Sequence, residues 1–172
     1  FHFFSEPLHY DVAAGKAMRP EDLFKALDLY GQFNLPLHVS EITIPTLPNT
    51  KEGLENQAKM TRNFYRLWFS HAAVEAIIWW NVADGTAVAG EDKWRGGFLD
   101  ETLQPKPSYQ ALNSLINQEW KTQLKANVTG ESYSFRGFYG EYVAKITVNG
   151  KMVEKRFVIG KNQPKELNIT GL

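Results

Sequence analysis

One continuous apolar run constrains the fold more than any other feature of the chain. Residues 75–82 read EAIIWWNV, without the polar–apolar alternation of a strand that has one face in water. Such a strand is typical of a parallel sheet that is covered on both faces. A segment rich in β-branched residues predicts a second strand over 36–43, which ends before Pro45 because proline supplies no ladder donor. Both strands favour the α/β class.

Helical patterns separate the strands. Pro20 and the two acids after it suit the first turn of a helix, which apolar residues continue to residue 30. A second helix is predicted over 51–71 and a third from Pro107 to about residue 120. Because residues 1–4 read as part of a strand, strand and helix alternate three times, as in parallel α/β folds. The apolar face predicted for the long helix contains Leu54, Ala58, Phe64, Leu67, Trp68 and His71.

The pattern changes at about residue 122, where strand-like alternation replaces helical periodicity. Asn149 and Gly150 separate two alternating segments, and both residue types accept the positive φ of a tight hairpin turn. We therefore predict an α/β domain over 1–121 and a small antiparallel, β-sandwich-like domain of four or five strands over 122–172. A unit of about 50 residues is marginally stable alone, so it is expected to pack on the first domain.

Charge and composition exclude several classes of partner. Lysine plus arginine and aspartate plus glutamate number 19 each, so no net charge attracts nucleic acid. The chain has no cysteine, and no histidine pair has metal-ligand spacing beside a carboxylate. No apolar run approaches the roughly 20 residues that cross a bilayer. We expect no metal, no cofactor, no nucleic acid and no membrane partner.

Glu41 is the first candidate for chemistry. It lies near the end of a predicted strand, just before a loop that contains proline, and α/β barrels hold their active sites at the carboxyl ends of the strands. An exposed acid at a strand end has the same pattern. Spacing alone does not separate these two interpretations.

Three motifs, in order along the chain, carry a family resemblance. LPLHVSEITI at 35–44 resembles the nucleophile strand of glycoside hydrolase family 10 xylanases, and AIIWWNVADG at 76–85 resembles the eighth strand of that family. GFLDE at 97–101 and QPKPSY at 104–109 are similar to its closing segment. The resemblance covers about residues 1–120. It implies the carboxyl-terminal part of a (β/α)8 TIM barrel, incomplete and limited to strands 6 to 8, followed by the small antiparallel all-β domain.

The resemblance also implies site residues. Glu41 would be the catalytic nucleophile, and His2 would donate a hydrogen bond that keeps this carboxylate ionised and oriented. Trp80 would offer its ring to a sugar, whereas Trp79 is expected on the opposite face of the strand. Asp84 would be a supporting residue. The further substrate-binding candidates are two residues of the following loop, Trp94 and Arg95.

Two positions depart from the family pattern. The family usually has an aspartate two residues after the nucleophile, where this chain has Thr43, so the hydrogen bonding around Glu41 is expected to differ. The family often has a further tryptophan near Asp84, whereas this chain has Val88 there. Trp94 is the candidate to replace it, and a loop-packing role is the alternative.

The implied reaction is retaining hydrolysis of β-1,4-xylosidic bonds in xylan, which needs two carboxyl groups roughly 5–5.5 Å apart. By the layout of the family, the acid/base glutamate lies on the fourth strand, which this chain lacks. We therefore expect a fragment that is inactive alone and is an endo-1,4-β-xylanase with its missing amino-terminal half. Exposed strand edges favour pairing with that half, or self-association. The substrate, xylan or xylo-oligosaccharide, implies an extracellular or periplasmic location.

Two other functions fit the sequence. One is a non-catalytic carbohydrate-binding or structural module in which the β tail is the functional part, and the other is a hydrolase of a different β-glycan. The aromatic residues of 133–142 (YSFRGFYGEY) fit either a glycan-binding surface or a small core. Alternation favours the core for half of them.

Overall fold

The computed structural model describes residues 2–4, 19–130, 132–164 and 166–168. The chain forms two compact units, Phe1–Ile116 and Asn117–Leu172. Residue 1 of the first predicted strand lies outside the described residues. In chain order the elements are β1 (His2–Phe4), α1 (Pro20–Gly31), β2 (Leu37–Val39), β3 (Glu41–Thr43), α2 (Lys51–Ser70), β4 (Val74–Ile77), a 3₁₀ turn (Asp92–Trp94), α3 (Pro107–Ser114), a π-helical turn (Leu115–Glu119), β5 (Gly140–Val148) and β6 (Lys151–Ile159).

Parallel pairing of short strands organises the first unit. β1 pairs with β3, with His2 beside Glu41, and β2 pairs with β4. The prediction of one strand over 36–43 is wrong, because the chain changes partners at Ser40: β2 bonds to β4 and β3 bonds to β1. A helix lies between the strands of each parallel pair along the chain, as parallel pairing normally requires.

β4 is shorter than the strand predicted over 75–82, but its hydrogen bonding continues. The amide of Ile78 donates to the carbonyl of Val39 at 2.8 Å, and the amide of Trp80 donates to that of Ile42 at 3.0 Å. The segment that contains β2 and β3 is therefore bonded on both edges. Its buried residues form the core together with side chains from α1 and α2, and the fully buried apolar members include Val39, Ile42, Ile44, Leu27 and Trp68.

The long helix differs from its prediction in the face that it buries. α2 begins after Thr50, whose hydroxyl accepts from the amide of Gly53 at 3.3 Å and so caps the helix. Leu54 and Ala58, predicted on the buried face, are only half-buried. None of the described helices combines the length and the apolar character that a membrane span needs. The buried positions of α2 are Gly53, Gln57, Thr61, Phe64, Tyr65 and Trp68.

The second unit contains one antiparallel hairpin. β5 and β6 pair without a break, and Asn149 and Gly150 form the turn with φ of 51° and 79°, so the predicted hairpin is confirmed. The prediction of four or five strands is wrong for the described residues, which form one two-stranded sheet here. Gly137 precedes β5 and Gly140 begins it, and both interrupt the alternation, since glycine weakens a strand. The β-sandwich-like architecture predicted over 122–172 is not seen in the described residues.

Candidate active site

Glu41 lies at the start of β3, in the segment bonded on both edges. The parallel register sets its backbone beside that of His2 on β1. Because side chains alternate along a strand, Glu41 shares one face with Thr43, whereas Ile42 and Ile44 are fully buried on the other. Glu41 itself is half-buried. The fold therefore holds this acid firmly at the backbone without removing it from solvent.

Trp79 packs toward the helices. Its ring stacks on that of Phe98, with centroids 4.0 Å apart, and lies 6.3 Å from the ring of Tyr65 on α2. The indole N–H donates to the carbonyl of Gly96 at 3.0 Å. Trp79 therefore ties the loop that follows β4 to the helix layer.

Trp80 has different surroundings. Its backbone amide bonds to Ile42, the residue after Glu41, and 41% of its surface is exposed. A tryptophan normally buries most of its large surface, so an exposed indole beside a strand end is available to a ligand. The sugar-stacking role of Trp80 stays a prediction.

The loop that follows β4 packs on the end of the segment that contains β2 and β3, which we call the Glu41 segment. The amide of Thr46 donates to the carbonyl of Trp94 at 2.9 Å. A Cβ atom at Gly96 would lie 2.5 Å from Cγ2 of Thr43, so no side chain fits there without a shift. Thr43 is buried, and its hydroxyl has no hydrogen-bond partner among the described residues. Where the family pattern has aspartate, this chain therefore uses Thr43 to pack against the loop.

Asp84 is the centre of a buried ion pair. Its two carboxylate oxygens lie 3.0 and 3.1 Å from Nζ of Lys106, and Oδ1 also accepts from the amide of Gly97 at 2.8 Å. Both charged side chains are 3% exposed. Burial lowers the pKa of the Lys106 ammonium, and the adjacent Asp84 carboxylate opposes this by favouring the charged form. Because Lys106 also donates to the carbonyl of Arg95 at 2.7 Å, the pair fixes the loop to the start of α3.

Arg95, predicted as a substrate contact, is held by two acids. Its Nη1 lies 3.0 Å from Oε1 of Glu101, and its Nε lies 3.9 Å from Oδ2 of Asp84. Its backbone is left-handed, with φ of 47°, which sets the direction of the side chain. The side chain is 31% exposed, so part of the guanidinium reaches solvent. Contact with substrate stays a prediction for this residue.

Gln57 of α2 is a buried polar residue that the sequence analysis missed. Its amide nitrogen donates to the carbonyl of Ile44 at 2.8 Å and approaches the carbonyls of Gly97 at 3.4 Å and Arg95 at 3.5 Å. Its amide oxygen accepts from the hydroxyl of Ser108 on α3 at 3.0 Å. Gln57, on α2, therefore joins the end of the Glu41 segment to the loop that follows β4 and to α3. Its four-residue spacing from Gly53 and from Thr61, two other buried positions of α2, was the available signal.

We predict that Gln57→Leu destabilises the first unit. Leucine is similar in size but leaves the carbonyl of Ile44 and the hydroxyl of Ser108 without this partner, and each such buried group costs about 1–3 kcal/mol. The measurement is the free energy of unfolding from urea denaturation followed by tryptophan fluorescence. Gln110→Leu, at an exposed position of α3, is the matched control. Equal destabilisation by the two substitutions would contradict the bridging role.

The structure brings only some of the predicted site residues together. The backbones of His2 and Glu41 are paired, and Asp84 and Arg95 form a weak ion pair. Within the described ranges, no group of three or more His, Cys, Asp or Glu residues is arranged to hold a metal ion. Two further candidates are linked to the Glu41 segment through backbone hydrogen bonds, Trp80 and Trp94.

Sequence comparison places this arrangement in a family. The family profile described as glycosyl hydrolase family 10 matches residues 8–115. The anti-sigma-I factor RsgI6 of Acetivibrio thermocellus is 32% identical over 126 residues, which are 73% of this chain and 15% of that protein. Endo-1,4-beta-xylanase B of Thermotoga neapolitana is 27% identical over 119 residues, which are 66% of this chain and 34% of that protein. The chain thus spans about a third or less of these relatives.

Structural comparison gives the same fold. Xylanase 10B of Thermotoga petrophila, solved in complex with xylobiose, superposes with a TM-score of 0.51 and 21% identity, over 60% of this chain and 33% of that one. Native xylanase 10B of Thermotoga maritima has a TM-score of 0.51 and 22% identity, over 60% of this chain and 34% of that one. About 60% of the chain therefore shares its fold with family 10 xylanase structures.

Proposed function

Since the chain belongs to glycosyl hydrolase family 10, we propose that it supplies the nucleophile of a retaining endo-1,4-β-xylanase, and that this nucleophile is Glu41. The observation that carries the proposal is the position of Glu41. Glu41 begins β3, which is hydrogen-bonded on both edges. On one edge its backbone pairs with that of His2, and on the other edge β3 bonds to the segment that ends at the exposed Trp80. The strand fixes the backbone of Glu41, which limits where its carboxylate can lie relative to a sugar carbon.

The proposed reaction has two steps. In the first, a Glu41 carboxylate oxygen bonds to the anomeric carbon while the bond from that carbon to the leaving oxygen breaks, and an acid protonates the leaving oxygen. In the second, water attacks the anomeric carbon, releases Glu41 and gives its proton to the same acid/base residue. His2 donates a hydrogen bond to Glu41, and Trp80 stacks on the sugar. The remaining proposed contacts to substrate come from Trp94 and Arg95, with Asp84 holding their loop.

We propose that none of these 172 residues supplies the acid/base carboxyl. We propose that the chain alone does not hydrolyse xylan, and that activity requires the amino-terminal part of a family 10 barrel. In this proposal that part pairs with β1, whose one strand neighbour among the described residues is β3. Because xylan is a polymer outside the cell, the proposed location is extracellular or periplasmic.

Trapping the covalent intermediate tests the proposal directly. A 2-fluoro-xylobioside with a dinitrophenolate leaving group needs no acid to leave, so labelling isolates the nucleophile from the acid/base step. We expect one equivalent of label on Glu41, detected by peptide mass, when the amino-terminal part of a family 10 barrel is added. Glu75→Gln, at an exposed position of β4, should label like the parent chain. Label on another carboxylate, or none in a stable complex, would overturn the assignment.

A second candidate function is a binding module without catalysis. The relative at 32% identity is named an anti-sigma-I factor, so a sequence similar to this chain occurs within a protein that is not named for hydrolysis. A hydrolase of a different β-glycan is also compatible with the family. Binding of xylo-oligosaccharide without any Glu41 labelling would favour the binding module, and labelling by a cellobioside in preference to a xylobioside would favour the other substrate.

A further inference from the structure

Four aromatic rings form a continuous row in the second unit, and we call them the aromatic row. Tyr133 and Phe135 are nearly parallel, with ring centroids 6.4 Å apart and planes 19° apart. Phe135 lies 6.0 Å from Tyr142 of β5, and Tyr142 lies 5.4 Å from Phe157 of β6, again with nearly parallel rings. The row thus leads from the hairpin to the segment that precedes it.

The segment that carries the outer rings is held against the hairpin. The hydroxyl of Tyr142 donates to the carbonyl of Phe138 at 2.7 Å and lies 3.0 Å from Oγ1 of Thr122. The amide of Phe138 donates to the same Thr122 oxygen at 3.3 Å. At Gly137 an added Cβ would clash with the Tyr142 hydroxyl, so only glycine permits this close approach. These contacts join the segment around Phe138 to the hairpin, and Tyr133 is placed by its ring contact with Phe135.

The outer and inner rings differ in exposure. Tyr133 is 52% exposed and Phe135 is 39% exposed, whereas Tyr142 and Phe157 are half-buried within the unit. The core interpretation therefore fits the inner pair and not the outer pair. Two exposed aromatic rings that stack nearly parallel offer apolar ring surface to solvent, and such a surface favours a ligand.

We propose that Tyr133 and Phe135 of the second unit form a binding platform for an uncharged polysaccharide chain. The C–H groups on one face of a sugar ring carry partial positive charge and suit the negative face of an aromatic ring. The Tyr133 and Phe135 rings can contact neighbouring sugar units of the same chain, and the Tyr133 hydroxyl can bond a sugar hydroxyl. Xylan as the specific ligand rests on the proposed function, whereas the platform does not.

Retention on insoluble xylan by the full 172-residue chain tests the platform. The double variant Tyr133→Ala/Phe135→Ala is expected to weaken binding at least about tenfold, since both stacking surfaces are removed. Tyr139→Ala is the matched control, because Tyr139 is 72% exposed in the same segment but is not in the aromatic row. It should bind within about twofold of the parent chain. Equal losses in the two variants, or no retention of the parent chain on xylan or cellulose, would overturn the proposal.

A second variant separates stacking from folding. Tyr133→Leu/Phe135→Leu keeps apolar cover over Tyr142 but removes the flat rings, so we expect the hairpin circular dichroism to persist and the binding to fall as in the alanine variant. Retention equal to that of the parent chain would exclude stacking on these rings. This assay needs no catalysis, so a failure to label Glu41 leaves it unaffected.

Three other outcomes would each overturn the platform. Loss of retention in Trp80→Ala, with full retention in the alanine double variant, would move glycan binding to the first unit. Binding of a single-stranded oligonucleotide that competes with xylan and weakens steeply with salt would indicate nucleic acid as the ligand. A dimer by sedimentation that the alanine double variant dissociates would indicate a second copy of the chain on these rings.

Discussion

Glu41→Gln is expected to reduce xylan hydrolysis on the order of 10⁴- to 10⁶-fold, the size of effect that follows loss of a hydrolase nucleophile. Glutamine keeps the shape and the backbone pairing of Glu41 beside His2 but cannot form the covalent ester. The measurement is kcat with soluble xylan, for the chain mixed with the amino-terminal part of a family 10 barrel. Binding of xylo-oligosaccharide should survive, because the substitution removes chemistry and leaves the surrounding contacts.

The control for this experiment is the same substitution at another strand position. Glu75→Gln changes charge identically on β4, where the side chain is exposed, and should leave kcat within about twofold of the parent value. A similar loss in both variants would point to assembly of the two parts and not to the nucleophile. Activity retained by Glu41→Gln would place the reaction on another carboxylate.

Lys106→Met is expected to lower the free energy of unfolding by about 3 kcal/mol. Removing one partner of a buried ion pair leaves an uncompensated charge, which costs about 3–5 kcal/mol. The lower end of this range of energies applies, because Nε of Arg95 lies 3.9 Å from Oδ2 of Asp84 and continues to compensate part of the Asp84 charge. Urea unfolding followed by tryptophan fluorescence measures the change. Lys59→Met, at an exposed position of α2, is the matched control and should change stability by less than about 0.5 kcal/mol.

Two further measurements separate the ion pair from packing. In Asp84→Asn/Lys106→Met no charge of the pair remains, so the double variant should lose less stability than the sum of the single variants. Because burial lowers the pKa of Lys106, the folded chain binds fewer protons than the unfolded chain between the two pKa values, and stability rises with pH there. Burial also raises the pKa of Tyr65, so this group lowers stability as pH approaches and passes its unfolded value near 10, opposite in sign to Lys106. A pH profile that Lys106→Met leaves unchanged would contradict the assignment.

Several elements were predictable from the sequence because their causes are local. Pro20 and the acids after it predicted the start of α1, and the helix is found at Pro20–Gly31. Asn149 and Gly150 predicted the turn of the hairpin, since both accept positive φ. The three motifs also predicted the family, which the profile match confirms. In each case neighbouring residues carry the information.

Other features were not predictable from patterns along the chain. The change of partners at Ser40 depends on where β1 and β4 lie, and the sequence around Ser40 reads as one strand. Gln57 was missed because apolar periodicity does not single out a polar residue on a buried face. The four or five strands of the tail were overpredicted, because alternation alone does not show whether a segment finds a neighbour with which to bond.

The sequence by itself determined the α/β class of the first unit, its helices, the hairpin turn and the identity of Glu41 as a candidate nucleophile. The tertiary structure alone decided which residues distant in sequence meet in the buried polar contacts of that unit. Gln57 meets Ser108 from 51 positions away, and Asp84 meets Lys106 from 22. The physical reason is that a buried polar side chain needs a partner, and the partner is chosen by the packing of elements distant in sequence.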